Sequence, residues 1–247
     1  MFFINEMTLL KGEAFRINKN IFVRHPTLNE VLDFGEEKYF DIVSLFCNKP
    51  YDYMVELADN GINWADKENF DVFLMAYNKE RYSEGVNWLF GGRYFFQHAR
   101  NEENGDLLLY DPVNCVAIDK LAFDQISSFL RRINFLSEKT EFTPANEIAR
   151  EMVLEQKRKE MRRAERRPRN NESQLSTLIS FLVWNNTNGM KIDDIFKLHL
   201  YQFHDGIARL LKTEYYRNIM LGYYTGNIAG KDIKFDVIDW RTKTIIE

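Results

Sequence analysis

Two cysteines, five prolines and no long apolar run set the first limits on this chain of 247 residues. Cys47 and Cys115 alone give no disulfide framework, and their number suits a reducing compartment. So few prolines, with only 12 glycines, argue against a many-turned β-sandwich and for helices with few breaks. No apolar stretch approaches the roughly 18 residues that span a bilayer, and the opening Met1-Phe2-Phe3-Ile4-Asn5-Glu6 has no basic region of a secretory signal. The expectation is a protein of the cytoplasm with no membrane partner.

Catalytic and cofactor signals are equally sparse. The four histidines are His25, His98, His199 and His204, and the last two are five residues apart, about 140° around a helix, where a zinc pair sits four apart. Gly91-Gly92-Arg93 lacks the Lys-Ser/Thr of a phosphate loop, and no Gly-x-Ser-x-Gly elbow is present. The adjacent pairs Glu102-Glu103 and Asp193-Asp194 point to different faces and suit turns and helix caps better than paired acid–base work. The sequence therefore predicts no catalytic residue, no metal, no cofactor and no enzyme.

What is present is aromatic residues and an uneven charge. Phe, Trp and Tyr make up 15% of the chain, with 20 Phe and 12 Tyr. Residues 1–140 hold 15 Lys/Arg against 22 Asp/Glu, whereas residues 141–247 hold 18 against 15. Much of the difference comes from Lys157, Arg158, Lys159, Arg162, Arg163, Arg166, Arg167 and Arg169. No apolar side chain lies between Leu154 and Met161, so that part of the helix has no face to bury and is expected to project into solvent. Three readings of it stay open, in this order: a solvated connector, a dock for an acidic protein surface, or a nucleic-acid contact that salt would weaken steeply. A second cluster, Trp88, Phe90, Tyr94, Phe95 and Phe96, is dense around two glycines. Successive strand residues point to opposite faces, so the last three are hard to bury together, and an exposed side would suit an apolar helix.

Local patterns predict an α+β fold, mostly helical, with a small antiparallel meander and a helical C-terminal bundle. Thr27 and Glu30 form a capping box ahead of Leu28, Val31 and Leu32, and Gly35 loosens the helix that continues to Cys47. Tyr51–Asp59 is helical and ends at Asn60-Gly61, and Asp66 is expected to cap a helix bearing Phe70, Phe73, Leu74 and Tyr77. Strands are expected at 94–96, 107–110 and 115–118, then a helix capped by Asp119 with Leu121, Phe123, Ile126, Phe129, Leu130 and Ile133 inward. Thr143-Pro144 is expected to open the longest helix and Pro168 to end it. Ser173 caps a further helix through Trp184, and the stretch 192–224 offers Ile195, Phe196, Leu198, Leu200, Phe203, Ile207, Leu210 and Leu211 for burial. The expected organisation is an α+β domain over 1–143, a long basic helix and linker over 144–172, and a helical domain over 173–247.

Several of these segments, taken in order, resemble one family. They are the capped run Pro26–Phe40, the Gly61-Ile62-Asn63-Trp64 turn after Met54–Asn60, and Phe70-Asp71-Val72-Phe73. The hairpin Asn101–Pro112, Leu178-Ile179-Ser180, Ile195–Leu198, Tyr201-Gln202-Phe203 and Met220–Ile228 with Asp239-Trp240 follow. Together they are similar to bacteriophage tail-assembly chaperones of phages infecting Gram-positive bacteria, encoded near the tape-measure gene. The resemblance implies a non-enzymatic protein of the host cytoplasm that holds tape-measure or tail-tube components before assembly. It carries no catalytic motif. The partner-binding residues expected are Trp88, Phe90, Tyr94, Phe95 and Phe96 with Arg158, Arg162, Arg163, Arg166 and Arg167, and a homo-oligomer is open. The alternatives are a structural virion protein of tail or baseplate, and a nucleic-acid binder acting through 157–169.

Overall fold

In a computed structural model of the chain, the described residues are 4–102, 105–137, 144–166, 173–185 and 189–242. A short helix α1 (Glu6–Leu10) leads to a two-stranded ribbon, β1 (Phe15–Arg16) paired antiparallel with β2 (Phe22–Val23). Helix α2 (Leu28–Phe34) starts at the predicted capping box: Glu30 N–H donates to Thr27 Oγ1 at 3.3 Å and Thr27 N–H to Glu30 Oε2 at 2.8 Å. Gly35, at φ +106°, separates it from α3 (Glu36–Cys47), so the glycine divides two helices. Helix α4 (Met54–Asp59) ends as expected, with Gly61 in the left-handed region, and a 3-10 turn over Trp64–Asp66 follows. Helix α5 (Asn69–Ala76) is capped by Glu68 with Asp71, correcting the assignment to Asp66, whose carboxylate instead accepts from Asn63 at 2.7 Å. Helix α6 (Lys79–Phe90) closes on Gly91.

The meander is present, with β3 (Gln97–Arg100), β4 (Leu107–Asp111) and β5 (Val116–Ile118) antiparallel in that order. Its first strand begins at Gln97, so residues 94–96 precede it. Asp119 caps α7 (Lys120–Ile133) by accepting from Ala122 N–H at 2.8 Å. Phe123, Ile126, Phe129, Leu130 and Ile133 are buried, but Leu121 is exposed and Ala122 takes the inward place. Helix α8 (Glu147–Glu165) is opened by Asn146 and not by Pro144; Thr143 and Pro168 lie outside the described residues. Helices α9 (Gln174–Asn185), α10 (Ile192–Phe196), α11 (Leu200–Tyr224) and α12 (Phe235–Ile238) complete the chain. Among the described elements α11, with 25 residues, exceeds α8, with 19, correcting the expected longest helix. The fold is α+β and predominantly helical.

One hydrophobic core joins early and late elements. At its centre α3 packs on α7, and Phe123 lies 4.8 Å from Phe73 and 5.5 Å from Phe70, ring to ring. The buried Tyr39 hydroxyl and Asn134 amide satisfy one another at 2.9–3.1 Å. Leu175, Ile179, Leu182, Ile195, Leu200, Phe203 and Ile207 enter the same core from α9, α10 and α11. Residues 143 and 172, where the expected domains meet, lie outside the described residues. The start of α11 is sewn to the start of α2: Leu28 N–H donates to Leu198 C=O at 3.0 Å and Leu200 N–H to Pro26 C=O at 3.1 Å. Gly12, at φ +72°, makes room there, since a Cβ on it would fall 2.0 Å from the His199 ring.

Candidate partner-binding surfaces

The aromatic cluster divides between core and surface. Phe90 and Phe96 are buried, with ring centroids 6.1 Å apart. Tyr94 stacks on Phe96 at 5.5 Å and 11°, and its hydroxyl donates to Asn20 C=O at 3.1 Å. Trp88 is half-buried, stacked on Phe34 at 4.5 Å with the Arg24 guanidinium 5.1 Å from its ring. Phe95 N–H donates to Asp111 at 2.9 Å, and this side chain is 48% exposed. The five residues therefore make no common outward face, which corrects that expectation for Phe90 and Phe96. Tyr94 and Phe96 stack on one another, and Phe95 between them turns out.

The basic residues lie along α8, which has no buried residue. Its contact with the rest of the protein is narrow. Val153 and Leu154, both half-buried, pack on a satellite cluster of Met54, Leu57, Trp64 and Val72. Lys157 holds its ammonium 5.4 Å from the centre of the Tyr51 ring, and Arg158 pairs with Asp59 of α4. Arg162, Arg163 and Arg166 are exposed and make no ion pair among the described residues. They stand at the C-terminal end of the helix, where cations complement the backbone dipole. Arg167 lies outside the described residues.

A third surface was not visible in the sequence. Leu210 is the last residue of α11 packed against the core, only half-buried there like Phe196 and Leu198, and Leu211, also offered above for burial, is half exposed, as is Tyr215. Tyr224 is 76% exposed, and Tyr223 sets its ring against Phe235 at 6.3 Å. Phe235, Val237 and Trp240 are also exposed, while Ile238 is buried beneath them. Trp184, at the end of α9, is 84% exposed. The available signal was the density of Leu and Tyr over 211–224 without the one-sided spacing of a buried face.

The four histidines make contacts within the fold. His25 and His199 lie 5.0 Å apart, ring to ring; His25 Nε2 accepts from Tyr201 N–H at 3.2 Å, and His199 Nδ1 meets His25 C=O at 2.6 Å. Burial first, and then neighbouring His199, lower the His25 pKa to about 3. Burial lowers that of His204 to about 4, its ring lying against Phe135 and Phe203. His98 Nε2 meets Leu74 C=O at 2.8 Å. Burial pushes the Cys47 thiol up to about 12, which makes it inert, while Cys115 is exposed in the turn before β5. Among the described residues no three His, Cys, Asp or Glu are placed to hold a metal ion. No helix among them is long and apolar enough to cross a membrane.

Residues 167–244 match the family model described as YomV second domain. That is a Bacillus phage-derived family, and the match fits a phage protein of a Gram-positive host. No curated protein and no solved structure matches the chain. The YomV match takes in α9 to α12, and with them the exposed apolar end of α11.

Proposed function

We propose that this protein is a non-enzymatic tail-assembly chaperone that binds apolar or helical tail components, tape measure or tail tube, in the host cytoplasm before they assemble. The observation that carries the reading is the C-terminal part, where the segment matching a phage-derived family leaves Leu221, Tyr224, Phe235, Val237 and Trp240 exposed together with Trp184. Large apolar side chains left in water on one part of a molecule mark a surface for another protein. The ordered sequence resemblance to tail-assembly chaperones supports the same reading. The basic end of α8 adds an electrostatic contact for an acidic protein surface, acting on encounter and specificity more than on affinity.

The test is residency and capture. A chaperone is present in infected-cell lysates, co-purifies with a tail protein, and is missing from washed mature particles by mass spectrometry. Stoichiometric amounts in the particle would instead favour a structural virion protein of tail or baseplate.

A further inference from the structure

We propose that the surface beneath α8 is the client-binding seat, and that α8 is its built-in, displaceable occupant. The client is then an amphipathic helix that repeats α8's chemistry: two adjacent apolar residues followed about one turn later by a cation. This rests on the reading of the protein as one that binds helical tail components, and it names where and by what chemistry.

The seat is better built than its occupant. Met54, Leu57, Trp64 and Val72 form a buried cluster of their own, apart from the main core. Asp59 of α4 stands at its edge and pairs with Arg158, while Lys49 and Lys67 lie beside Tyr51 and Trp64. An apolar floor with a carboxylate at its edge suits a helix with an apolar stripe and a cation one turn on. The occupant fits that description, with Val153 and Leu154 on the floor, Arg158 on Asp59 and Lys157 over Tyr51. Yet none of its 19 residues is buried.

The fit is also incomplete. A groove of about 260 Å³ remains between the Ala58–Trp64 stretch and Arg150, Glu151 and Leu154. The indole N–H of Trp64 is buried without a hydrogen-bond partner, an uncompensated cost that a side chain from a better-fitting helix removes. A larger apolar residue in the place of Leu154, which lines that groove, fills it. A helix held by two half-buried side chains and an exposed ion pair leaves its seat a fraction of the time. A competing helix then binds with its intrinsic affinity multiplied by the fraction of seats left open.

The experiment uses the full chain and a fluorescein-labelled peptide of residues 146–166 as the probe, read by anisotropy. The double variant Val153→Ser/Leu154→Ser loosens α8 and should bind the peptide at least about tenfold more tightly than wild type. Adding Asp59→Arg should remove that gain, and a peptide carrying the same two serines should not bind. Equal binding by wild type and the loosened variant, or a gain that survives Asp59→Arg, overturns the proposal. Should the variant fail to fold, hydrogen exchange on the wild type decides: α8 amides should exchange at least about tenfold faster than those of α7, and equal protection overturns the proposal. These outcomes are separable from the assembly reading, because a null peptide result leaves particle residency and client capture unaffected.

Discussion

Helices α7 and α8 are neighbours in sequence and opposite in fate. Over 14 residues α7 buries Ala122, Phe123, Ile126, Phe129, Leu130 and Ile133, while α8 over 19 buries none. Both carry apolar residues and arginines, but α7 has four charged residues in 14 and α8 eleven in 19. Spacing separates them further: the apolar residues of α7 recur at three and four and make one stripe, whereas those of α8 are scattered and its cations surround the helix. One helix is fixed by the core and gives the protein its stability. The other is held by a small adhesive patch, which leaves it free to be an interaction element.

The sharpest way to break this contrast is to cut a side chain from each helix. Phe123 is fully buried among Phe46, Phe70 and Phe73, so Phe123→Ala removes an aromatic ring from a rigid site. It should cost about 3–5 kcal/mol in urea unfolding. Met152, 68% exposed on α8, should cost less than about 0.5 kcal/mol as Met152→Ala. Comparable losses at the two sites would show that α8 is as much a part of the folded core as α7.

An acid titration sharpens the same division from the core side. His25 and His204 have folded-state pKa values near 3 and 4, against 6.5 in the unfolded chain. Between those limits the unfolded state binds protons that the folded state refuses, so stability is full above pH 6.5 and falls as pH falls toward 4 and 3. Each histidine contributes a slope of up to about 1.4 kcal/mol per pH unit. His204 Nε2 has no hydrogen-bond partner, so His204→Leu should be tolerated at pH 7 and should flatten the acid limb of urea midpoints measured down to pH 4.5. Parallel wild-type and variant curves would contradict the assignment. Since neither histidine lies on α8, loosening that helix should leave the slope unchanged.

Much of this architecture is legible in short-range chemistry. The caps at Thr27, Asp119 and Ser173 and the stop at Gly61 depend on residues a few positions apart, and each is where the sequence places it. The exposure of Arg162, Arg163 and Arg166 was equally readable, but Leu154, Lys157 and Arg158, in the stretch expected to project into solvent, are half-buried against the satellite cluster, Tyr51 and Asp59. The misses have tertiary causes. Leu211 has helical spacing but sits beyond the point where α11 leaves the core, and no local signal marks that point. Leu121 lost its inward place to Ala122 because packing against α3 fixes the rotation of α7. The join of His199 to the strand before α2 brings together residues some 170 positions apart, and no pattern in either segment announces it. Of the candidate site, the cations and Phe95 were visible in advance, whereas the apolar end of α11 was not.

The smallest expected effect is the most discriminating. Reversing Arg162, Arg163 and Arg166 to Glu replaces exposed side chains that make no ion pair among the described residues, and Glu is nearly as good a helix former as Arg. Each change should shift stability by no more than about 0.5 kcal/mol, with the small loss arising from acidic charge placed at the negative end of the helix dipole. Partner capture should fall much further, and the wild-type complex should itself weaken as salt shortens the Debye length below about 8–10 Å. A solvated connector instead predicts unchanged capture. A nucleic-acid binder predicts sub-micromolar duplex or RNA affinity in the wild type, with a steep log–log dependence on salt. The expected pattern is lost protein capture, unchanged melting and negligible nucleic-acid binding at physiological salt. It follows from the geometry: Arg158 is already committed to Asp59, whereas Arg162 and Arg166, four and eight residues on, continue roughly along its side of the helix and Arg163 stands on another.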